Sequence, residues 1–200
     1  MVKDIAIPTG TQYQISHDSW QAIVTEQGAT LRSLQYEGAD VVKSFDADQL
    51  PASSQGQQLL PWPNRIRDGH YTFEGDEQQL AVSEVDRHNA IHGLVAWSRW
   101  SLVEHTDTSV TQTIRVMARP GWPGTIDVDL THRLSDTGLT VEVIVRNVGA
   151  TAVPFGYAAH PYFSLGGTID DWTVDAPFTS WLQVDDRPVS YTHLTLPTNR

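Results

Sequence analysis

The stretch IDVDLTHRL, residues 126–134, decides the fold class because its apolar and polar residues alternate. A second alternating run, residues 139–145, follows after the turn-forming sequence Ser135-Asp136-Thr137-Gly138. A period of two places one set of side chains on a buried sheet face and the other on an exposed face. The two runs therefore predict an antiparallel hairpin. His132 takes an apolar position in this pattern, and we expect it to be a core or edge residue with its hydrogen bonds satisfied rather than a catalytic one.

Two more hairpins are predicted along the chain. Residues 21–25 and 30–36 flank Gln27-Gly28-Ala29, and residues 71–73 and 79–80 flank Glu74-Gly75-Asp76. No apolar stripe with a 3.6-residue period runs past three turns without an interruption. Many short strands with almost no helix between them are typical of an all-β fold, here a large antiparallel β-sandwich. A chain of 200 residues fits one such domain.

Composition excludes several classes of function. Thirteen Lys plus Arg against twenty-four Asp plus Glu give a net charge of -11, which disfavours nucleic acids and anionic membranes as partners. The absence of cysteine excludes disulfides, thiolate zinc sites and cysteine nucleophiles. The sequence shows neither a signal peptide nor a run of about 18 apolar residues, so we expect a cytoplasmic protein with a small neutral ligand. Nothing in the residues selects an oligomeric state.

Three segments are poor in strand signals: residues 44–64, residues 82–96 and the region around residues 158–167. Long loops in a compact domain usually carry function. The third segment contains His160 before Pro161, which biases the histidine to an extended conformation. A histidine can donate a proton near neutral pH, and neighbouring aromatic rings suit the C–H faces of a sugar. These rings are Phe155, Tyr157, Tyr162 and Phe163. The alternative is a buried core histidine.

Two other residues are candidates for ligand binding. Arg65 follows two prolines in PWPNRI, residues 61–66, and its guanidinium offers a rigid fork to ligand oxygens; the alternative is a surface salt bridge. His92 could contact a ligand or pack within its loop. His88 and His92 have the i, i+4 spacing of metal ligands on a helix, but Asn89 and Gly93 disfavour helix there. We therefore expect no metal, and keep a histidine metal site as a remote alternative.

Three short sequence motifs follow one another along the chain. They are Asn64-Arg65-Ile66 with Gly69, Tyr71 and Phe73; Asn89-Ala90-Ile91-His92-Gly93 with Trp97; and His160-Pro161-Tyr162-Phe163. In order and spacing this set resembles the aldose 1-epimerases, also called galactose mutarotases. The resemblance implies a large antiparallel β-sandwich that interconverts the α and β anomers of an aldose through ring opening. It implies neither a metal nor a cofactor.

The resemblance also implies roles for individual residues. His160 matches the general acid that protonates the ring oxygen, and Arg65 and His92 match residues that hold the sugar. We expect Asn64 and Tyr162, which belong to the same motifs, to contact the sugar as well. An acid at the ring oxygen needs a base at the anomeric hydroxyl.

The family's general base is a glutamate near the end of a longer chain. The glutamates of this chain do not lie in a motif that matches the one around the family's general base. They are Glu26, Glu37, Glu74, Glu77, Glu84, Glu104 and Glu142. We therefore expect residues 1–188 to be the N-terminal part of a single domain that is incomplete at its C-terminus, and residues 189–200 to be a non-native tail. Such a chain would have little epimerase activity, and a non-catalytic sugar-binding sandwich is the alternative.

The identity of the aldose stays open at this point, and a sugar phosphate is one possibility. Three arginines could bind the phosphate group of such a sugar: Arg67, Arg87 and Arg99. Scattered surface arginines are the commoner explanation for such residues.

Overall fold

The computed structural model describes residues 6–175 and residue 177. The strands are β1 (Gln12–His17), β2 (Trp20–Thr25), β3 (Leu31–Tyr36), β4 (Ala39–Val42), β5 (Gln58–Leu59), β6 (Arg65–Arg67), β7 (His70–Phe73), β8 (Asp76–Gln79), β9 (Asn89–Ile91), β10 (Ser101–His105), β11 (Ser109–Val116), β12 (Ile126–Ser135), β13 (Gly138–Asn147) and β14 (Ala158–Ala159). Single turns of 3-10 helix span Ala52–Ser54, Val85–Arg87 and Ile169–Asp171. Within this part of the chain, no helix has the length and apolar character needed to cross a membrane. The predicted tail, residues 189–200, lies outside the described residues.

Two four-stranded antiparallel sheets form the frame, in the orders β1-β2-β3-β4 and β10-β11-β12-β13. The predicted central hairpin is confirmed: β12 and β13 pair from Ile126 opposite Asn147 to Ser135 opposite Gly138. Alternation along β12 buries its apolar side chains and leaves Asp127 and Asp129 on the more exposed face. The period of two thus determines which face of this sheet joins the core.

The two smaller predicted hairpins are also confirmed. β2 pairs with β3 from Trp20 opposite Tyr36, and β7 pairs with β8 from His70 opposite Gln79. The β7–β8 turn consists of Glu74 and Gly75, both with positive φ (51° and 92°). Such turns match the twist of the flanking strands, and glycine favours them because it has no Cβ.

One buried cluster joins the two sheets. Ile15 and Val24 of the first sheet belong to the same cluster as Val110 and Leu134 of the second sheet. The two sheets therefore bury their apolar faces against each other, which confirms the predicted β-sandwich.

A second buried cluster fastens the irregular segments to the sandwich. Trp100 and Trp122 are fully buried there beside Leu130 of β12, with Leu60, which directly follows β5, and Ala90 of β9. Truncating a fully buried tryptophan typically costs about 3–5 kcal/mol. The segments between the hairpins have little regular structure, but they are packed against this buried cluster.

His132 departs from its predicted environment in one respect. It is fully buried on β12, as predicted, but neither ring nitrogen has a hydrogen-bond partner among the described residues. The expectation of a hydrogen-bonded histidine was therefore wrong within this part of the chain. Burial lowers the pKa of His132 to about 4, so the ring is neutral at pH 7.

Candidate functional site

The three segments with few strand signals meet at one pocket of about 640 Å³. Short antiparallel pairs bring them together: Leu59 of β5 lies opposite Ala158 of β14, and Arg65 of β6 lies opposite Ile91 of β9. The polar and aromatic side chains of the wall include Asn64, Arg65, Glu84, His92, His160 and Tyr162. All five sequence-predicted site residues therefore line the same cavity, together with one acidic residue that the sequence did not indicate.

The backbone of His160 is fixed on both sides. Its N–H donates to the carbonyl oxygen of Gln57 (3.0 Å), and its own carbonyl accepts from the N–H of Gly56 (2.8 Å). The residue directly follows β14 and precedes Pro161, so its position depends on the β5–β14 pair. The half-buried imidazole therefore enters the pocket from a fixed backbone.

His92 approaches from the opposite segment. Its N–H donates to the carbonyl of Asn64 (2.9 Å), and it has a left-handed backbone with φ of 61°. Gly93, also left-handed, passes so close to Leu60 that a Cβ would lie 2.0 Å from the Leu60 carbonyl oxygen. The absence of a side chain at Gly93 allows this approach. The rings of His92 and His160 meet edge to face, with centroids 5.5 Å apart and planes at 77°.

The surroundings of His92 determine its charge state. Burial, followed by the proximity of His160 and Arg65, lowers the pKa of His92 to about 4, although Glu84 acts in the opposite direction. His92 is therefore neutral at pH 7 and offers one donor and one acceptor nitrogen. A neutral imidazole suits a hydrogen bond to a sugar hydroxyl better than it suits proton delivery.

Arg65 forms a paired, two-bond contact with Glu84. Nε donates to Oε2 and Nη2 donates to Oε1, both at 2.7 Å, and the side chains are only 16% and 18% exposed. The Arg65 guanidinium holds the pKa of Glu84 down at about 2, since the paired bonds favour the carboxylate. Arg65 thus has a salt bridge, as one sequence interpretation expected, but the bridge lies in the pocket wall and not on the open surface.

Glu84 is the acidic residue of the pocket, and sequence reasoning did not indicate it. It belongs to a predicted functional segment, and its side chain also accepts a bond from Nδ2 of Asn89 (2.9 Å), a residue of the second motif. The only sequence signal was an acidic residue five positions before that motif asparagine.

The aromatic surface is smaller than expected. Tyr162 lines the pocket, its ring tilted by 35° against His160, and its hydroxyl donates to the carbonyl of Ser53 (3.0 Å). Phe163 instead lines a separate apolar cavity of about 260 Å³, because adjacent residues of extended chain face opposite ways. Phe155 and Tyr157 lie outside the wall of the first pocket. The expectation of four rings around His160 was therefore wrong for three of them.

Tyr162→Phe tests what the hydroxyl does. The change keeps the ring but removes one exposed hydrogen bond, so the free energy of unfolding should fall by about 0.5–1 kcal/mol. Hexose affinity, measured by NMR titration, should change less than about twofold, since the bond to Ser53 points to the protein. A loss of affinity of about tenfold would instead make this hydroxyl a direct ligand contact.

The metal alternative loses its geometric basis. Asn89–Ile91 form strand β9, so His88 and His92 share no helical face, and Nδ1 of His88 lies 2.9 Å from Oδ1 of Asp68. Among the residues that the structure describes, the potential metal ligands that lie close together do not include His88 or His92 but are found at two hairpin turns. They are His17, Asp18 and Asp136.

The three arginines considered for a phosphate occupy different places. Arg87 lines the pocket, with Nη1 3.5 Å from Oε1 of Glu84. Arg99 is instead paired with Glu26, and Arg67 lies on β6 outside the pocket wall.

The sequence profile of the aldose 1-epimerase family matches residues 11–200. The chain belongs to the aldose 1-epimerase family. An uncharacterized protein of Escherichia coli K12, YihR, is 33% identical over 89% of the chain, and the galactose mutarotase of Bos taurus is 25% identical over 92%. The crystal structure of a Caenorhabditis elegans aldose epimerase homologue shares the fold, with a TM-score of 0.75 at 23% identity over 90% of the chain.

This aldose 1-epimerase family member matches only part of each relative. The aligned region covers 58% of the Escherichia coli protein, 57% of the bovine protein and 59% of the chain of the Caenorhabditis elegans structure. The chain thus spans somewhat more than half the length of these relatives.

Proposed function

We propose that this chain provides the sugar-binding and proton-donating part of an aldose 1-epimerase site, which interconverts the α and β anomers of a hexose by ring opening. The observation that carries the proposal is the meeting of Arg65, His92 and His160, from three separate segments, around one pocket. A cavity of about 640 Å³ has ample room for a hexose.

In this proposal His160 is the general acid. It delivers a proton to the ring oxygen while the bond between C1 and that oxygen breaks. His92 is neutral at pH 7 and cannot deliver a proton as an imidazolium, so it holds a hydroxyl instead. Arg65 binds hydroxyl oxygens through its N–H groups.

The reaction also needs a base at the anomeric hydroxyl. Among the described residues, Glu84 is the carboxylate in the pocket wall, and its pKa of about 2 makes it a weak base at neutral pH. We therefore propose that the base comes from outside the described part of the chain. The same observation favours a second candidate function, a non-catalytic hexose-binding protein.

Binding and catalysis, measured side by side, separate the two functions. NMR titration with glucose and galactose should show resonance shifts for His92 and His160, and polarimetry of freshly dissolved α-glucose gives the rate of mutarotation. Binding with acceleration supports the epimerase, whereas binding without acceleration selects the sugar-binding protein. If neither hexose shifts the two histidines, both candidate functions are wrong.

A further inference from the structure

The Glu84 carboxylate connects the two short strands that border the pocket. It accepts two bonds from Arg65 on β6, each 2.7 Å, and one from Nδ2 of Asn89 on β9, 2.9 Å. β6 and β9 have only three residues each and pair only with each other within the described sheets. Three bonds to one partly buried carboxylate are therefore a substantial part of what orders this pair.

The backbone of Glu84 is itself fixed. Its N–H donates to the carbonyl of Asn89 (2.9 Å), and the N–H of Asn89 donates back to the carbonyl of Glu84 (3.1 Å). Between the two residues lies the 3-10 turn Val85–Arg87. The Glu84 carboxylate thus extends from a loop that is closed by two backbone hydrogen bonds. This limits how far the carboxylate can move together with the Arg65 guanidinium.

These contacts determine how the Arg65 guanidinium is oriented. Of its five N–H donors, Nε and one on Nη2 bind Glu84, and one on Nη1 binds Oδ1 of Asn64 (3.3 Å). The other two donors belong to Nη1 and Nη2, at the end of a side chain that lines the pocket. A ligand therefore meets an arginine whose plane is already fixed.

We infer that Glu84 is a positioning residue, which holds the Arg65 guanidinium so that its two remaining N–H groups bind sugar hydroxyls. The inference rests on the proposed function, because it takes a hexose as the ligand. Pre-orientation reduces the conformational freedom that Arg65 loses on binding, so it strengthens hexose affinity. Glu84 is not the missing base in this view, since the pair with Arg65 keeps its proton affinity low.

Glu84→Gln tests the inference because it keeps the shape but removes the charge. The Nε–H resonance of Arg65 should be protected from solvent exchange in the original protein and should lose that protection in the variant. The dissociation constant for hexose should rise about tenfold, as expected when one charge-assisted contact no longer fixes a binding group. Any rate of anomer exchange at saturating hexose should stay within about twofold, because Arg65 binds ground state and transition state alike.

Asp127→Asn is the matched control. Asp127 forms the same two-bond contact with Arg115, at 2.6 and 2.7 Å, on a sheet face outside the pocket. This variant should leave hexose affinity unchanged. Equal losses in both variants would contradict the inference and indicate a general effect of charge.

Two further results would overturn the inference. The first is an Arg65 Nε–H that stays protected from solvent exchange in Glu84→Gln. The second is a fall in the rate of anomer exchange with unchanged hexose affinity, which would make Glu84 the base.

A second variant serves if Glu84→Gln does not fold. Arg65→Lys keeps the positive charge but lacks the forked guanidinium, so it should weaken hexose binding about tenfold. Unchanged affinity in this variant would also contradict the inference. If the original protein binds no hexose, the proposed function fails, while the Nε–H signal still decides whether Glu84 holds Arg65.

Discussion

Replacing His160 with alanine should remove at least about 99% of any acceleration that the protein gives to hexose mutarotation. A positioned general acid contributes about 10²- to 10⁴-fold to such a reaction, and alanine has no proton to give. Hexose affinity should change much less, because Arg65 and His92 remain in the wall. The loss should therefore appear in the rate at saturating sugar rather than in the Michaelis constant.

Polarimetry should be carried out on two proteins. One is the chain itself, and the other is a chimera in which the C-terminal part of the Escherichia coli relative continues the described residues. His70→Ala is the control, because His70 lies on β7 with a side chain that is 48% exposed and outside the pocket. An active chimera whose rate survives His160→Ala would show that the acid lies elsewhere.

The β-sandwich was predictable because the alternation of apolar and polar residues can be read from a short stretch of sequence. That alternation determines which face of each sheet is buried. Along β12 a period of two determines the buried face, and short turns such as Glu74-Gly75 leave little choice but an antiparallel hairpin. The very short strands β5 and β14 gave no such signal. Two residues cannot establish a period, and their pairing depends on tertiary packing around Leu60.

The site was predictable in its residue types and not in its contacts. Motif spacing indicated Arg65, His92 and His160, and the structure places all three around one pocket. The partner of Arg65 was not predictable, because Glu84 lies 19 residues away and reaches it only through the β6–β9 pair. The left-handed backbone of His92 was equally hidden, since non-glycine residues seldom adopt positive φ.

His132→Leu should make the protein more stable, and more so as the pH falls. Leucine fills a similar volume without ring nitrogens that lack partners, so the free energy of unfolding at pH 7 should rise by about 1 kcal/mol. The folded-state pKa of His132, about 4, lies below its ordinary value of 6.5. The unfolded chain therefore binds the extra proton between pH 6.5 and 4, and the original protein loses stability as the pH falls through that window.

By linkage, this histidine alone should cost the original protein about 2 kcal/mol between pH 7 and pH 5. Urea unfolding at both pH values should show the gap between His132→Leu and the original protein widening by that amount. His17 has the opposite sign, because its bond to Asp136 raises its pKa, but both proteins contain it and its effect cancels in the difference. A gap that is constant with pH would mean that His132 accepts a proton in the folded protein as easily as in the unfolded chain.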